Sequence, residues 1–571
     1  MNHWYTDEIN TLVLISLLKS HGIKKVIASP GTTNISFVGS IQFDSDFEVY
    51  SAVDERAAAF MACGLAEESG EPVVLTCTGA TASRNYIPGL TEAYYRHLPV
   101  LAVTSTQHTG RVGNYVAQVI DRSRCFNDMV KMSVELPTVY SEETKQDVVT
   151  KVNDVLLELT HGIAGPCHIN LCTTYSNGFT IQDLPQYRVI RRASEKDFPE
   201  FPQGKIAVFV GAHQEFSEDE TLAIDHFCAA HNAIVICDQI SNYRGKYRFL
   251  ANFINSQEKD LGFRRFDLII YIGSVHGAYI SFSSRELWRV NPDGIIRDPY
   301  RNLTQVFEMS EQTFFEHYAV GKQNSTLIEE ANIAVSELNA KIPDLPFSNM
   351  WIAKETAHQL PENSILHLSI LNTLRAWNYF ETPASVLCFS NTGGYGIDGC
   401  LSSFLGSAIA EPEREHYMVV GDLSFFYDVN TLLNAIPQNV HILLVNNGVG
   451  TEFKNYNHRA AYFGEDANDY MAAKGHNGFR NINLVRNLCG NLNIRYLAAS
   501  SKEEFLAVKD VWLRREAGPI LLEVFTNDTD ESDALEQMNL VVPPDFKVQI
   551  KRKLKKTAVG RIAKKILRRG I

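Results

Sequence analysis

The residues of this chain whose types and spacing could do chemistry begin at Gly421. The segment GDLSFFYDVN follows the apolar run HYMVV, and Asn447 lies 25 residues after Asp422, in HILLVNNGVG. A strand ending in Gly-Asp, followed by a strand ending in Asn-Asn, puts a carboxylate, amide oxygens and a turn carbonyl at the carboxyl ends of strands. Open parallel sheets bind ligands there. All three groups are hard oxygen donors, suited to Mg²⁺ or Ca²⁺ shared with phosphate oxygens. Gly421 lets the backbone come close to a ligand, and the amides after Asp422 open a helix whose start favours a diphosphate. The Asn-Asn pair alone is also ordinary turn chemistry. A second candidate is Glu55 in AVDERAAAFMACGLA. A carboxylate opening a helix can equally do no more than complement the helix dipole.

These residues need a scaffold that ends strands side by side. The chain has 571 residues, 45% hydrophobic and 21% charged, which predicts several domains and excludes a disordered or collagen-like protein. Strand-like and helix-like segments alternate in three series, which predicts an α/β protein of three doubly wound parallel-sheet domains. The expected boundaries are a first domain over 1–180, a Pro-containing linker over 181–204, a central domain over 205–345 and a third domain over 346–530. The first and third series are similar in length and pattern, as two copies of one architecture would be. A basic tail, 531–571, completes the chain.

Ten scattered cysteines without a CxxC pair, mostly in apolar runs such as VVLTCTG, read as buried free thiols. The N-terminus lacks a signal-peptide pattern and no apolar run reaches the ~18 residues of a spanning helix. The expectation is a cytoplasmic protein. Net charge is −13, and residues 541–571 are strongly basic, so the body is more acidic than the whole. Such a body does not suit nucleic-acid binding. The tail segment KKTAVGRIAKKILRRGI sets an apolar stripe against basic residues. It predicts an amphipathic helix that contacts a neighbouring subunit or lies peripherally on the inner membrane face.

GD, about 25 to 30 residues, then NN resembles the signature of the thiamine diphosphate (ThDP) enzymes. Glu55 at the head of a small-residue helix, SPGTTN, TGATASRNYIPGLTEAYYRHLPVLAVTS and GPCHIN agree with it. Within that family GDLSFFYDVN and GIDGCLSSFLGSA are most similar to SEPHCHC synthase of the menaquinone pathway, with acetolactate synthase more distant. The resemblance implies Mg²⁺ held by Asp422, Asn447 and the Val449 carbonyl. Gly421, Leu423, Ser424, Asn446, Thr78 and Gly79 would contact the cofactor, and Ile397 would be the wedge that bends it. Glu55 would act on the pyrimidine ring in a neighbouring subunit's site, which makes the protein a homodimer or homotetramer. Gln118 and His108 complete the expected catalytic set.

The resemblance also implies an activity: decarboxylation of a 2-oxo acid to an enamine and transfer of the acyl unit to a small carbonyl acceptor. The relatives read anionic substrates with arginines, and three of those positions hold Thr33, Gln107 and Thr392 here. A threonine cannot supply the charge of a bidentate guanidinium. Arg375 keeps its cation, while Glu452 and Phe453 bring new chemistry after the Asn-Asn turn. The expectation is therefore an acceptor other than isochorismate, with true SEPHCHC synthesis from 2-oxoglutarate and isochorismate as the alternative. A ThDP-binding scaffold without turnover is the reading from another class. The central series lacks GxGxxG, so no FAD is expected.

Overall fold

The computed structural model describes residues 4–122, 125–277, 281–321, 323–515 and 518–543. The basic segment from 544 onward lies outside the described residues, and with it the expected amphipathic helix. The chain divides into two compact units, one of residues 1–198 and 293–308 and the other of 199–292 and 309–571.

The first unit is built on a 6-stranded parallel sheet in the order Glu48–Ser51, Lys25–Ala28, Val73–Cys77, Val100–Thr106, Cys167–Cys172, Met132–Leu136. Its inner strands read VVLTC and VLAVTST and are buried throughout, as strands covered on both faces must be. One face is closed by the helices Ile9–Ser20 and Glu142–Glu158 through Leu14, Leu17, Val152 and Leu156. The other is closed by Glu55–Ser69 and Ile87–Tyr95 through Ala59, Ala62, Leu90 and Ala93. Each large aliphatic side chain buried there contributes roughly 1.5–3 kcal/mol. The small residues matter as much: a Cβ on Gly89 would stand 2.4 Å from that of Ala59. Gly70, at φ 66°, ends the helix that begins at Glu55, since a left-handed terminus costs glycine nothing. The strands Arg191–Ala193 and Leu303–Phe307 pair in parallel within this unit.

The second unit holds two strand systems. Arg248–Leu250, Ile234–Cys237, Ile206–Val210, Arg265–Ile272 and Ser283–Val290 lie side by side in that order, all parallel. A 6-stranded parallel sheet follows, in the order Leu387–Phe389, Ile365–Leu368, His416–Gly421, Val440–Asn446, Ile520–Phe525, Arg495–Ala499. Numbered along the chain, this sheet and that of the first unit share one strand order: second, first, third, fourth, sixth, fifth. The expected duplication of architecture is thus present.

Two boundaries differ from expectation. Residues 293–308 group with the first unit rather than with the central series. The boundary expected at 530 falls inside the helix Asp528–Asn539, where Ser532, Ala534 and Met538 are buried. Gln257 Nε2 donates to the Met538 carbonyl at 2.8 Å, so this helix is part of the folded body. The edge strands Met132–Leu136 and Arg495–Ala499 carry no strong apolar run, because an edge strand is only partly covered. All ten cysteines are free, and only Cys125 is not buried. Among the described residues no helix is long and apolar enough to cross a membrane.

Candidate active site

Glu55 is the first residue of its helix, and the capping role falls to its neighbour. Asp54 accepts the Ala57 N–H at 2.7 Å. Glu55 is half-buried, and among the described residues its carboxylate accepts no hydrogen bond and forms no ion pair. A carboxylate in that state keeps its full capacity for a ligand. Asp54 supplies the cap, while Glu55, in the first turn, also complements the helix dipole.

Three loops converge in the same unit. Thr33 is buried; its hydroxyl donates to the Ser105 carbonyl at 3.0 Å and receives the Gly79 N–H at 3.2 Å. The Thr78 hydroxyl lies 2.5 Å from that of Thr33. Thr33 thus fastens the loops and has no hydrogen-bonding capacity left for a substrate. A Cβ on Gly31 would stand 2.4 Å from that of Thr78, and one on Gly79 would stand 2.9 Å from the Gln118 carbonyl. Both glycines are required by close approach. Gln118 is exposed, with φ 63°. Gln107 donates to the Tyr175 hydroxyl at 3.0 Å and accepts from Arg111 Nη1 at 2.6 Å. His108 is exposed, and its Nδ1 accepts the Gly110 N–H at 3.0 Å; it caps a short turn. His168 is buried between the hydroxyls of Thr104 and Ser133, at 2.7 and 2.8 Å. Burial pushes its pKa down to about 3, so it is a neutral structural residue.

In the second unit, Asp422 is buried at the end of His416–Gly421. Its Oδ1 accepts the Leu423 N–H at 2.7 Å. Its Oδ2 accepts the Gly448 N–H at 2.6 Å and faces His476 Nε2 at 3.0 Å. His476 Nδ1 accepts the Phe479 N–H at 3.3 Å, which puts the ring proton on Nε2, directed at Asp422. The Asp422 carboxylate is thereby tied directly to the Asn-Asn turn. Gly448 has φ 72°, and a Cβ there would strike the Phe479 ring. Asn447 Oδ1 receives the Val449 N–H at 3.3 Å and keeps a second lone pair. Ser424 donates to the Ile397 carbonyl at 2.6 Å, which fixes the expected wedge against the Gly-Asp turn.

Asn446 sits deeper than its expected cofactor role suggests. It is buried, donates to Glu523 at 2.7 Å, and its own Oδ1 accepts nothing. Burial raises the Glu523 pKa, and Tyr496 supplies a second donor at 2.8 Å. Arg375 and Glu452 are brought together, at 2.8 and 3.3 Å, so the cation that the sequence retains is matched by the new acid. Phe453 packs edge-on to His458, with centroids 5.3 Å apart. Thr392 is buried.

The donor set fits a cofactor carrying a diphosphate and a hard divalent cation. It offers one carboxylate, one amide oxygen and a turn carbonyl, and Mg²⁺ characteristically takes few protein ligands alongside phosphate oxygens. Among the described residues no group of three or more His, Cys, Asp or Glu could hold a metal by itself. Sequence reasoning missed His476 and Arg111. Neither belongs to a local pattern; a histidine in KGHNGF has no periodic neighbour to mark it.

Residues 11–125 match the family described as thiamine pyrophosphate enzyme, N-terminal TPP binding domain. The chain is 30% identical over 565 residues to 2-succinyl-5-enolpyruvyl-6-hydroxy-3-cyclohexene-1-carboxylate synthase of Phocaeicola vulgatus, covering 93% of this chain and 98% of that one. The synthase of the same name from Bacteroides thetaiotaomicron is 29% identical, with the same coverage of both chains. A solved thiamine diphosphate-dependent 4-hydroxybenzoylformate decarboxylase from Rhodococcus jostii RHA1 aligns over 91% of this chain and 99% of that chain, at 16% identity and a TM-score of 0.39. The chain belongs to the thiamine diphosphate-dependent enzymes, among relatives that are SEPHCHC synthases.

Proposed function

We propose that this enzyme removes CO2 from a 2-oxo acid and joins the remaining acyl unit to an acceptor, as a SEPHCHC synthase does. The observation that carries this reading is 30% identity over 93% of the chain. The product name of the relatives contains a succinyl unit, which 2-oxoglutarate supplies on losing CO2. ThDP, when bound, supplies a nucleophilic carbon and the electron sink for that loss. The chain's own residues hold and activate it. Asp422, Asn447 and the Val449 carbonyl would hold Mg²⁺ and, with it, the diphosphate. Glu55 would hold a proton beside a nitrogen of the pyrimidine ring, and would do so in the site of a neighbouring subunit.

A second reading of the acceptor is favoured by a specific observation. Arg375 is already neutralised by Glu452, and Thr33 is spent on its own loops. An acceptor with fewer anionic groups than isochorismate fits that charge balance. Holoenzyme with 2-oxoglutarate is expected to release CO2 with or without isochorismate, and the ligated product decides between the two acceptors. Formation of SEPHCHC at kcat/KM of about 10⁴ M⁻¹s⁻¹ or more would establish the relatives' reaction. No CO2 from any 2-oxo acid would leave only a cofactor-binding scaffold.

The basic tail is proposed as a contact with an acidic protein surface or an anionic membrane, at about 1 kcal/mol per well-placed basic residue. Truncation after Pro544 is expected to leave CO2 release unchanged while altering sedimentation or flotation with anionic liposomes. Identical behaviour of both chains in both assays would remove that role.

A further inference from the structure

In the 6-stranded sheet of the second unit the strand order reverses between two neighbours. Leaving the first strand, Ile365–Leu368, the chain moves to one side, to Leu387–Phe389; leaving the third, His416–Gly421, it moves to the other, to Val440–Asn446. A parallel sheet opens its ligand crevice at such a reversal, outside the carboxyl ends of the two strands. Asp422 stands on one lip of that crevice. The segment 369–377 forms the other. The Ser369 hydroxyl accepts the Gly421 N–H at 3.4 Å, and the helix Asn372–Trp377, which carries Arg375, starts three residues later.

Arg375 does not meet the crevice with an open guanidinium. Its Nη1 and Nη2 donate to the two Glu452 oxygens at 2.8 and 3.3 Å, and Nη1 also donates to Asn372 Oδ1 at 3.0 Å. Asn372 Nδ2 donates to the Thr451 hydroxyl at 2.6 Å, and Asn372 Oδ1 receives Asn455 Nδ2 at 3.1 Å. The turn Thr451–Lys454, just beyond the Asn-Asn pair, is thereby fastened to the helix of Arg375. Both charged side chains keep some surface, 14% for Arg375 and 17% for Glu452, so neither is sealed off. The cavity that Arg375 borders with Met350 and Glu531 is about 20 Å³, the room of one water. A larger ligand therefore meets the pair from its solvent side.

A planar guanidinium at a ligand crevice is matched to a carboxylate, which it takes with two parallel hydrogen bonds. Here a carboxylate of the chain itself holds that place. A substrate carboxylate would have to displace Glu452 and then stand beside its negative charge. A hydroxyl or carbonyl group would meet a neutral pair. Discrimination of this kind comes from a repulsive element rather than from a new attraction.

We propose that Glu452 is a specificity-determining residue: as a built-in carboxylate on Arg375 it excludes an anionic group from this part of the crevice and leaves it to an uncharged, oxygen-bearing part of the acceptor. The inference rests on the acceptor reading above, and adds that one side chain sets the preference.

The test uses holoenzyme and two probes of one shape, cyclohex-1-ene-1-carboxylate and the neutral cyclohex-1-ene-1-carboxamide, with binding read by calorimetry. The wild type is expected to bind the amide at least as tightly as the carboxylate. Glu452→Gln keeps the size of the side chain and an acceptor for Arg375. It is expected to bind the carboxylate at least tenfold more tightly than the wild type does, with the amide within threefold. Glu452→Ala is read in the same way should E452Q not fold. The double variant R375Q/E452Q is expected to lose the gain, which ties it to the guanidinium. A wild-type preference for the carboxylate, no gain in either Glu452 variant, or an undiminished gain in the double variant would each overturn the assignment. If the wild type binds neither probe, carboxylate binding gained by E452Q supports it, and none gained overturns it. The acceptor reading fails separately. Efficient SEPHCHC formation by the wild type would refute that reading, and the calorimetric comparison would still decide Glu452.

Discussion

Replacing Glu55 by Gln is expected to lower kcat by roughly 10²–10⁴-fold, the range that general acid–base groups contribute, while ThDP still binds. The amide keeps the size of the carboxyl but cannot hold or give up the proton that the proposed role of Glu55 requires. The structure makes this variant a clean one. Asp54, not Glu55, caps the helix at 2.7 Å, and Glu55 has no partner among the described residues, so the fold loses no hydrogen bond or ion pair. Holoenzyme formation would be followed by calorimetry and CO2 release by a coupled assay, on the same preparation. Turnover within a fewfold of wild type, with cofactor bound, would take Glu55 out of the mechanism. Asp54→Ala should give the opposite pattern: a loss of about 1 kcal/mol in stability with turnover preserved.

Asp422→Ala should abolish retention of ThDP. The carboxylate is the one anionic ligand expected for the cation that bridges the diphosphate, and truncating one partner of a buried charge pair costs about 2–5 kcal/mol. It also leaves three donors without an acceptor: the N–H groups of Leu423 and Gly448, and His476 Nε2. Some loss of stability is therefore expected alongside the loss of affinity. Asp422→Asn separates the two effects. It retains an acceptor for part of the network but lowers the charge offered to the metal, so cofactor affinity should fall further than stability. The measurement is titration of the apoprotein with ThDP in excess Mg²⁺. Undiminished affinity in both variants would refute the assignment of Asp422 as a metal ligand.

The sequence by itself determined the parts whose signals are local. Apolar runs such as VVLTC and HILLVN specify buried parallel strands because both faces of those strands are covered. Gly-Asp and Asn-Asn mark the carboxyl ends of two neighbouring strands, where a diphosphate is expected, since a strand end, a glycine and a helix start are consecutive in the chain. The edge strand Arg495–Ala499 escaped because it is only partly covered and so needs no apolar run. The tertiary structure alone decided which polar groups meet. Arg375 and Glu452 pair across 77 positions, and Asp422 and His476 across 54. A list of residue types showed a retained cation and three absent ones. The fold shows that the retained one is neutralised by Glu452. Charge complementarity acts over a few ångströms, and sequence spacing reports such distances only within one helix, strand or turn.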